Sequence, residues 1–440
     1  MIIAKRLKGK AIATWLGPTG DAARRALTRA RQRVTSAPSR LDFYFDIVDP
    51  LSYLTAQAVA RLVEAYHVEL AIHVVTPPAS DVDPAPVFRA KHAVRDALWL
   101  AEYWNVDFPA HHKEADPGMI REVASSLIRD RPAAEQLRAV LDLGGALWTW
   151  DKKKLGTLLL AYGTESTGQV APILNSNYAQ LRKAGHYQGA MLAYGGEWFW
   201  GIDRLPYLEA ALAADLGVAV ASVVAPRPIA ERGPLALSDK PLTCELWFSY
   251  RSPYSYLALE KIEEVLAPYG VPLVPKPVAP MVNRGLTVPQ IKRMYIVRDA
   301  KREADRLGIP FGELCDPLGK GIDHCLALAH WAAQRGQLMA FSRSAMRGIW
   351  AEARDLAEYV DLRYVVERAG LPWQEARDAL AAPEALKAAQ ANAAELAVYG
   401  LWGVPSVRCG EFIAWGQDRL PLLADRLRRH ALATAAASTP

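Results

Sequence analysis

Phe248-Ser-Tyr-Arg-Ser-Pro-Tyr-Ser-Tyr-Leu257 decides how this chain is read. It closes an apolar, β-rich run, Cys244–Tyr250, and opens a helix at Pro253. Proline is favoured at the first helical position, where its missing N–H costs nothing. Ser252 stands just before it, the residue type that caps a helix N-terminus. Working outward, a second strand is expected over Val271–Val278, then a long stretch rich in Ala, Leu and Arg with helical character. Two short strands, Ser406–Cys409 and Glu411–Ala414, and a last helix, Asp418–His430, close the pattern. The order is β-α-β, helical insert, β-β-α. A βαβ crossover requires parallel pairing, and the late hairpin requires antiparallel pairing.

The same pattern occurs earlier in the chain. Asp42-Phe-Tyr-Phe-Asp-Ile-Val-Asp-Pro-Leu-Ser-Tyr-Leu54 parallels Glu245-Leu-Trp-Phe-Ser-Tyr-Arg-Ser-Pro-Tyr-Ser-Tyr-Leu257 at an offset of 203. Trp200-Gly-Ile-Asp-Arg-Leu-Pro206 parallels Trp415-Gly-Gln-Asp-Arg-Leu-Pro421 at an offset of 215, so the second copy is longer in its middle. Such self-similarity reads as a tandem duplication. The fold class expected is α/β: two tandem thioredoxin-like domains, each with an inserted helical subdomain. The boundaries expected are a basic N-terminal arm over 1–40, repeat 1 over 41–216, a Pro- and Gly-containing linker over 217–241, repeat 2 over 242–430 and a disordered tail over 431–440.

Charge separates the arm from the body. Residues 1–40 hold ten Lys or Arg and one acid, Asp21, a local +9 against +5 for all 440 residues, so the remainder is −4. The body is therefore no basic nucleic-acid binder. The arm's apolar run, Ala11–Leu16, is too short for a secretory signal and is broken by Gly17 and Pro18. A frayed basic helix over Asp21–Val34 is the plain expectation for it, with an organelle transit peptide as the superficial likeness. No apolar run reaches the ~18 residues of a membrane span. The four cysteines, Cys244, Cys315, Cys325 and Cys409, form no CxxC or zinc spacing, which fits a reducing, cytoplasmic setting. His324, Cys325 and His330 match no familiar metal pattern, and no metal is expected.

Three ordered motifs, the quoted stretch, Gly403-Val-Pro-Ser406 and Trp415-Gly-Gln-Asp-Arg-Leu420, resemble the 2-hydroxychromene-2-carboxylate isomerases. These are similar in fold to kappa-class glutathione transferases and, more distantly, to the DsbA-like disulfide oxidoreductases. The resemblance spans nearly all of repeat 2. It implies a glutathione-dependent isomerase of an unsaturated aromatic keto acid, with glutathione as cofactor and a small-molecule substrate. It also implies Ser252 as the catalytic residue and Asp418, helped by Gln417, at the γ-glutamyl ammonium. Lys292 falls near the glutathione carboxylate or the acidic substrate, and Asn283 matches a family asparagine. Val404-Pro405 corresponds to the cis-proline turn of thioredoxin-like folds, where Val404 offers backbone groups to an extended peptide.

The chemistry of Ser252 can be argued from the residue itself. Ser252-Pro-Tyr-Ser255 occupies the strand-to-helix turn where redox thioredoxins carry Cys-x-x-Cys. Serine oxygens cannot exchange disulfides. The helix N-terminus still favours an anion. A thiol of pKa ~8.5 is mostly protonated at neutral pH, and lowering it by ~1.5 units requires about 2 kcal/mol. A hydroxyl hydrogen bond and a helix N-terminus supply that much. Alone, Ser252 would be a plain cap; with the other two motifs it becomes the group that stabilises a thiolate carried in on glutathione.

Repeat 1 lacks these features. Asp49 stands opposite Ser252, Arg89 opposite Lys292, and Ala190 or Met191, depending on one gap, opposite Pro405. Ile202 replaces Gln417, while Asp203 keeps the place of Asp418. A carboxylate ~4 Å from a thiolate would repel it by roughly 4 kcal/mol at an effective dielectric of 20. Repeat 1 is thus expected not to bind glutathione but to pack as an intrachain pseudo-dimer partner, in a monomer or a homodimer. The rival is another ligand, with Asp49 as general base. For the whole chain, the alternatives are a kappa-type transferase or peroxidase that consumes glutathione, and a non-catalytic thioredoxin-like binding scaffold.

Overall fold

In the computed structural model, the central strand of the second unit, β5 (Cys244–Phe248), is buried along most of its length, with Trp247 and Phe248 wholly enclosed. Residues 2–437 are described, apart from positions 18, 21, 22, 25, 28–39, 112, 219, 220, 238–240, 287, 382 and 383. With β1 (Arg40–Asp46), β2 (Glu69–Val75), β3 (Met191–Tyr194) and β4 (Glu197–Trp200) numbered before it, β5 is followed by β6 (Leu273–Pro277), β7 (Ser406–Cys409) and β8 (Phe412–Trp415). β5 pairs in parallel with β6 and antiparallel with β7, which pairs antiparallel with β8. The order is β6-β5-β7-β8. Pro275 and Pro277 lie in β6, the edge strand, where a missing N–H is tolerated.

Helix Pro253–Leu266 packs Tyr256, Leu257, Leu259, Ile262 and Leu266 into the core. Each such side chain contributes about 1.5–3 kcal/mol of burial. The insert between β6 and β7 is helical, from Gln290–Leu307 to Glu384–Val398, with its own buried core around Leu328, Phe341, Ile349 and Val365.

The first unit repeats the scheme. β1 pairs in parallel with β2 and antiparallel with β3, and β3 pairs with β4, giving β2-β1-β3-β4. Helix Pro50–Tyr66 follows β1, and five helices from Pro86–Trp104 to Thr167–Ala184 fill the insert. The fold class expected from sequence is the one observed.

The chain divides into two compact units, Arg24–Arg232, and Gly233–Pro440 together with Met1–Ala23. The division falls inside the expected linker. On its two sides, Arg227 donates its backbone N–H to Tyr103, and Leu235 donates to Arg429. Two expectations change. Leu420–Ala437 is helical, so the last helix runs past His430 into the segment expected to be disordered. Ile2–Leu16 is also a helix, and it belongs with the second unit instead of forming a separate arm. Gly9 explains why it docks: a Cβ there would lie 2.6 Å from Ala353 Cβ. Lys5 pairs with Asp355 and Arg6 with the fully buried Asp361, 2.6 Å away. The expected helix Asp21–Val34 falls largely outside the described residues. No helix among the described residues is long and apolar enough to cross a membrane.

Candidate active site

The site forms where β5 ends and β7 begins. Ser252 caps helix Pro253–Leu266: its Oγ accepts the Ser255 backbone N–H at 3.2 Å. The same hydroxyl donates to the Val404 carbonyl, 3.2 Å away. Two motifs 152 positions apart thereby meet through one hydroxyl. The Val404–Pro405 peptide is cis, as Gly403-Val-Pro405 led us to expect. Its turn is tightly built. A Cβ on Gly403 would come within 2.4 Å of the Trp415 indole nitrogen, and Trp402 lies 5.0 Å from Trp415 between ring centroids. Ser406 Oγ donates to Gly403 O at 2.9 Å, and Gly416 N–H donates to Pro405 O at 2.8 Å.

That last bond ties the turn to Asp418. Gly416 has φ +112°, and a Cβ there would sit 2.3 Å from Asp418 Oδ1, so only glycine leaves room for the carboxylate. Asp418 is 16% exposed and lies 3.3 Å from Arg419. Gln417 departs from expectation. It is 4% exposed and turned inward, donating from Nε2 to the buried Glu303 at 3.0 Å. From inside, it braces helix Gln290–Leu307. Asn283 is exposed on a 3-10 turn, Met281–Arg284, and Lys292 is half-buried near the start of helix Gln290–Leu307.

Three further groups were not singled out from sequence. Arg251, inside the deciding stretch, forks onto Asp316 with two 2.8 Å bonds. Burial opposes charge on Asp316, but Arg251 wins and holds its carboxyl below the usual range. Tyr254 donates to the buried Asp299 at 2.7 Å. Arg284 donates from Nη2 to the Trp402 carbonyl at 3.0 Å. None of these contacts has a sequence signal beyond residue type, because each partner is 45 or more positions away.

The corresponding place in the first unit is filled by its own side chains. Asp49 caps helix Pro50–Tyr66, accepting from Leu51 N–H and from Ser52 Oγ, both at 3.2 Å. Asp46 is 1% exposed, and its Oδ2 has no hydrogen-bond partner among the described residues. Arg89 pairs with Asp83 at 2.5 Å. Burial first, then Asp49, pushes Asp46 up to about 7; burial also raises Asp49, against the pull of Arg89. The cis-proline position falls on Ala190 and not Met191: Gly201 N–H donates to Ala190 O at 2.8 Å, as Gly416 does to Pro405. Ala190 has φ +55°, and a Cβ on Gly189 would meet Asp46 Cβ at 2.3 Å. The loop is seated directly on the buried acid.

Residues 243–428 match the DSBA-like thioredoxin domain, which sets the class of this half of the chain. Within that class, a 2-hydroxychromene-2-carboxylate isomerase from Sphingobium xenophagum is 26% identical over 195 residues, covering 42% of this chain and 97% of that protein. A solved 2-hydroxychromene-2-carboxylate isomerase aligns over 45% of this chain and 100% of its own, at 20% identity and a TM-score of 0.40. The cytosolic disulfide reductase DsbM from Pseudomonas aeruginosa, solved with GSH, aligns over 44% and 98% at 16% identity and a TM-score of 0.33. Residues 243–428 thus form a DsbA-like thioredoxin domain.

Proposed function

We propose that the second unit is a glutathione-dependent isomerase of an unsaturated aromatic keto acid. The observation that carries this reading is the Ser252 hydroxyl, at a helix N-terminus, 3.2 Å from the carbonyl of the cis-proline turn, where a redox domain would carry cysteine. A disulfide reaction has no sulfur to run through at this position. The residues present suit a γ-glutamyl peptide carrying a thiol: a hydroxyl donor, an extended backbone turn, and the Asp418 carboxylate held over Gly416. Bound there, glutathione supplies a thiolate that adds reversibly to a conjugated double bond and leaves unconsumed once that bond has rotated.

The chain's own part is to hold and charge that thiol. Ser252 Oγ has one proton, which it gives to Val404 O in this structure. Turning that proton toward a sulfur anion exchanges a neutral hydrogen bond for a charge-assisted one, about twice as strong. The Ser255 N–H stays capped throughout, because the oxygen lone pairs remain in place. Val404 O has a second lone pair for the peptide backbone. Asp418 pairs with the ammonium, and Lys292 and Asn283 lie on the segments after β6 where a carboxylate would arrive.

The test is calorimetric titration of the intact chain with glutathione, followed by turnover of 2-hydroxychromene-2-carboxylate with glutathione below substrate concentration. Isomerisation without thiol loss supports the reading. Stoichiometric thiol loss makes the protein a transferase. Absence of binding at millimolar glutathione leaves a peptide-binding scaffold.

A further inference from the structure

A guanidinium has five N–H donors and a charge that cannot be removed at physiological pH. Arg284 closes the 3-10 turn Met281–Arg284, at the end of the segment that leaves β6. Its one hydrogen bond among the described residues goes to the Trp402 carbonyl, one residue before Gly403 and two before the cis peptide. Its Nε is buried and has no acceptor among the described residues. Burial alone lowers its pKa, and no carboxylate of the described chain offsets it. The contrast with neighbouring arginines is plain: Arg251 has Asp316, Arg302 has Asp299 and Arg306 has Glu303. A half-buried cation without an anion is costly unless something else brings the negative charge.

We propose that Arg284 is a carboxylate-binding residue of this site, its guanidinium anchored on the Trp402 carbonyl and its remaining donors receiving a ligand carboxylate. This rests on the glutathione-dependent reading for its choice of ligands. Two carboxylates fit the chemistry, that of the glycine end of glutathione and that of the aromatic acid. Arginine presents a planar fork that matches either one. The same bond through Trp402 would let an arriving anion stiffen the turn that Ser252 touches.

The experiment compares acid and ester forms of both ligands by titration calorimetry on the full chain, as wild type, Arg284→Met and Arg284→Lys. One arm uses glutathione and its glycine ethyl ester; the other uses 2-hydroxychromene-2-carboxylate and its methyl ester. Wild type should prefer the acid in one arm by about tenfold to a hundredfold, the value of a charge-assisted bond. Arg284→Met should erase that preference and Arg284→Lys should keep part of it. Loss in the first arm assigns the glycine carboxylate, and loss in the second assigns the substrate's. An acid preference that survives in Arg284→Met in both arms, even with weaker binding throughout, makes Arg284 a strut for the turn and overturns the proposal. So does a wild type that prefers the acid in neither arm. If glutathione fails to bind wild type, the reading of the cofactor falls, and the aromatic arm alone decides Arg284.

Discussion

Replacing Asp46 by asparagine should change how the first unit's stability depends on pH. Asp46 is enclosed with Asp49, Ser52, Arg89 and Asp83, and its carboxyl is pushed up to about 7, by burial first and Asp49 second. In the unfolded chain the same carboxyl titrates near 3.9. Between those values the folded chain holds a proton that the unfolded chain has released. Stability therefore falls as pH rises through the window from about 4 to about 7, and the loss is complete above it. A shift from 3.8 to about 7 corresponds to at most about 4 kcal/mol. Asp46 and Asp49 share that titration as a pair. Asparagine keeps the Oδ1 acceptor used by Val48 N–H at 3.1 Å, and places a neutral amide where Oδ2 has no partner. At about 2–4 °C per kcal/mol, the melting temperature of Asp46→Asn should gain on wild type by up to about 10 °C between pH 5 and pH 8. Scanning calorimetry measures this, and hydrogen exchange in helix Pro50–Tyr66 assigns the transition to the first unit. A difference between the two proteins that stays constant with pH would refute the reasoning, because the buried pair would then carry no proton of its own.

Four other expectations can be checked directly. Ser252→Ala should leave the fold intact and reduce turnover tenfold or more, a loss of about 1.4 kcal/mol or more, while raising the pKa of the bound thiol; equal thiolate titrations in both proteins would reduce Ser252 to a cap. The intact chain should bind one glutathione, and Ser252→Ala/Asp418→Ala should abolish that binding; two equivalents, one surviving in the variant, would make the first unit a live site. Lys5→Met/Arg6→Met should lower the second unit's stability by about 1–3 kcal/mol, because the buried Asp355 and Asp361 each lose a cationic partner; unchanged denaturation would make the N-terminal helix an ornament. Diamide should remove two of the four thiols by joining Cys244 to Cys409. These lie opposite each other on β5 and β7, and Cys244 N–H is turned away to Pro272 O, so the pair is of the closer, non-hydrogen-bonded kind. A different pair in the peptide map would refute it.

Local physics made much of this molecule legible without coordinates. Ser252 before Pro253 announces a capped helix, because a cap and its N–H are three residues apart. The repeated strand motifs give the senses of pairing, since a βαβ crossover requires parallel strands and a short hairpin antiparallel ones. Gly403-Val-Pro405 marked the turn that the structure sets beside Ser252. What the tertiary structure alone decided are contacts between residues far apart in the chain. Gly9 has no role until Ala353 is packed against it, at which point the absent side chain is what lets the helix dock. Gln417 reads as a ligand residue until Glu303 claims its amide from inside. Asp49 reads as a lone anion until Asp46 is placed beneath the Gly189–Ala190 loop and the two share burial. Arg284 has no pattern at all, since a missing counter-charge becomes visible only once every neighbour has a position. Periodicity and capping are written in adjacent residues, whereas burial, charge balance and close approach are properties of the folded surroundings.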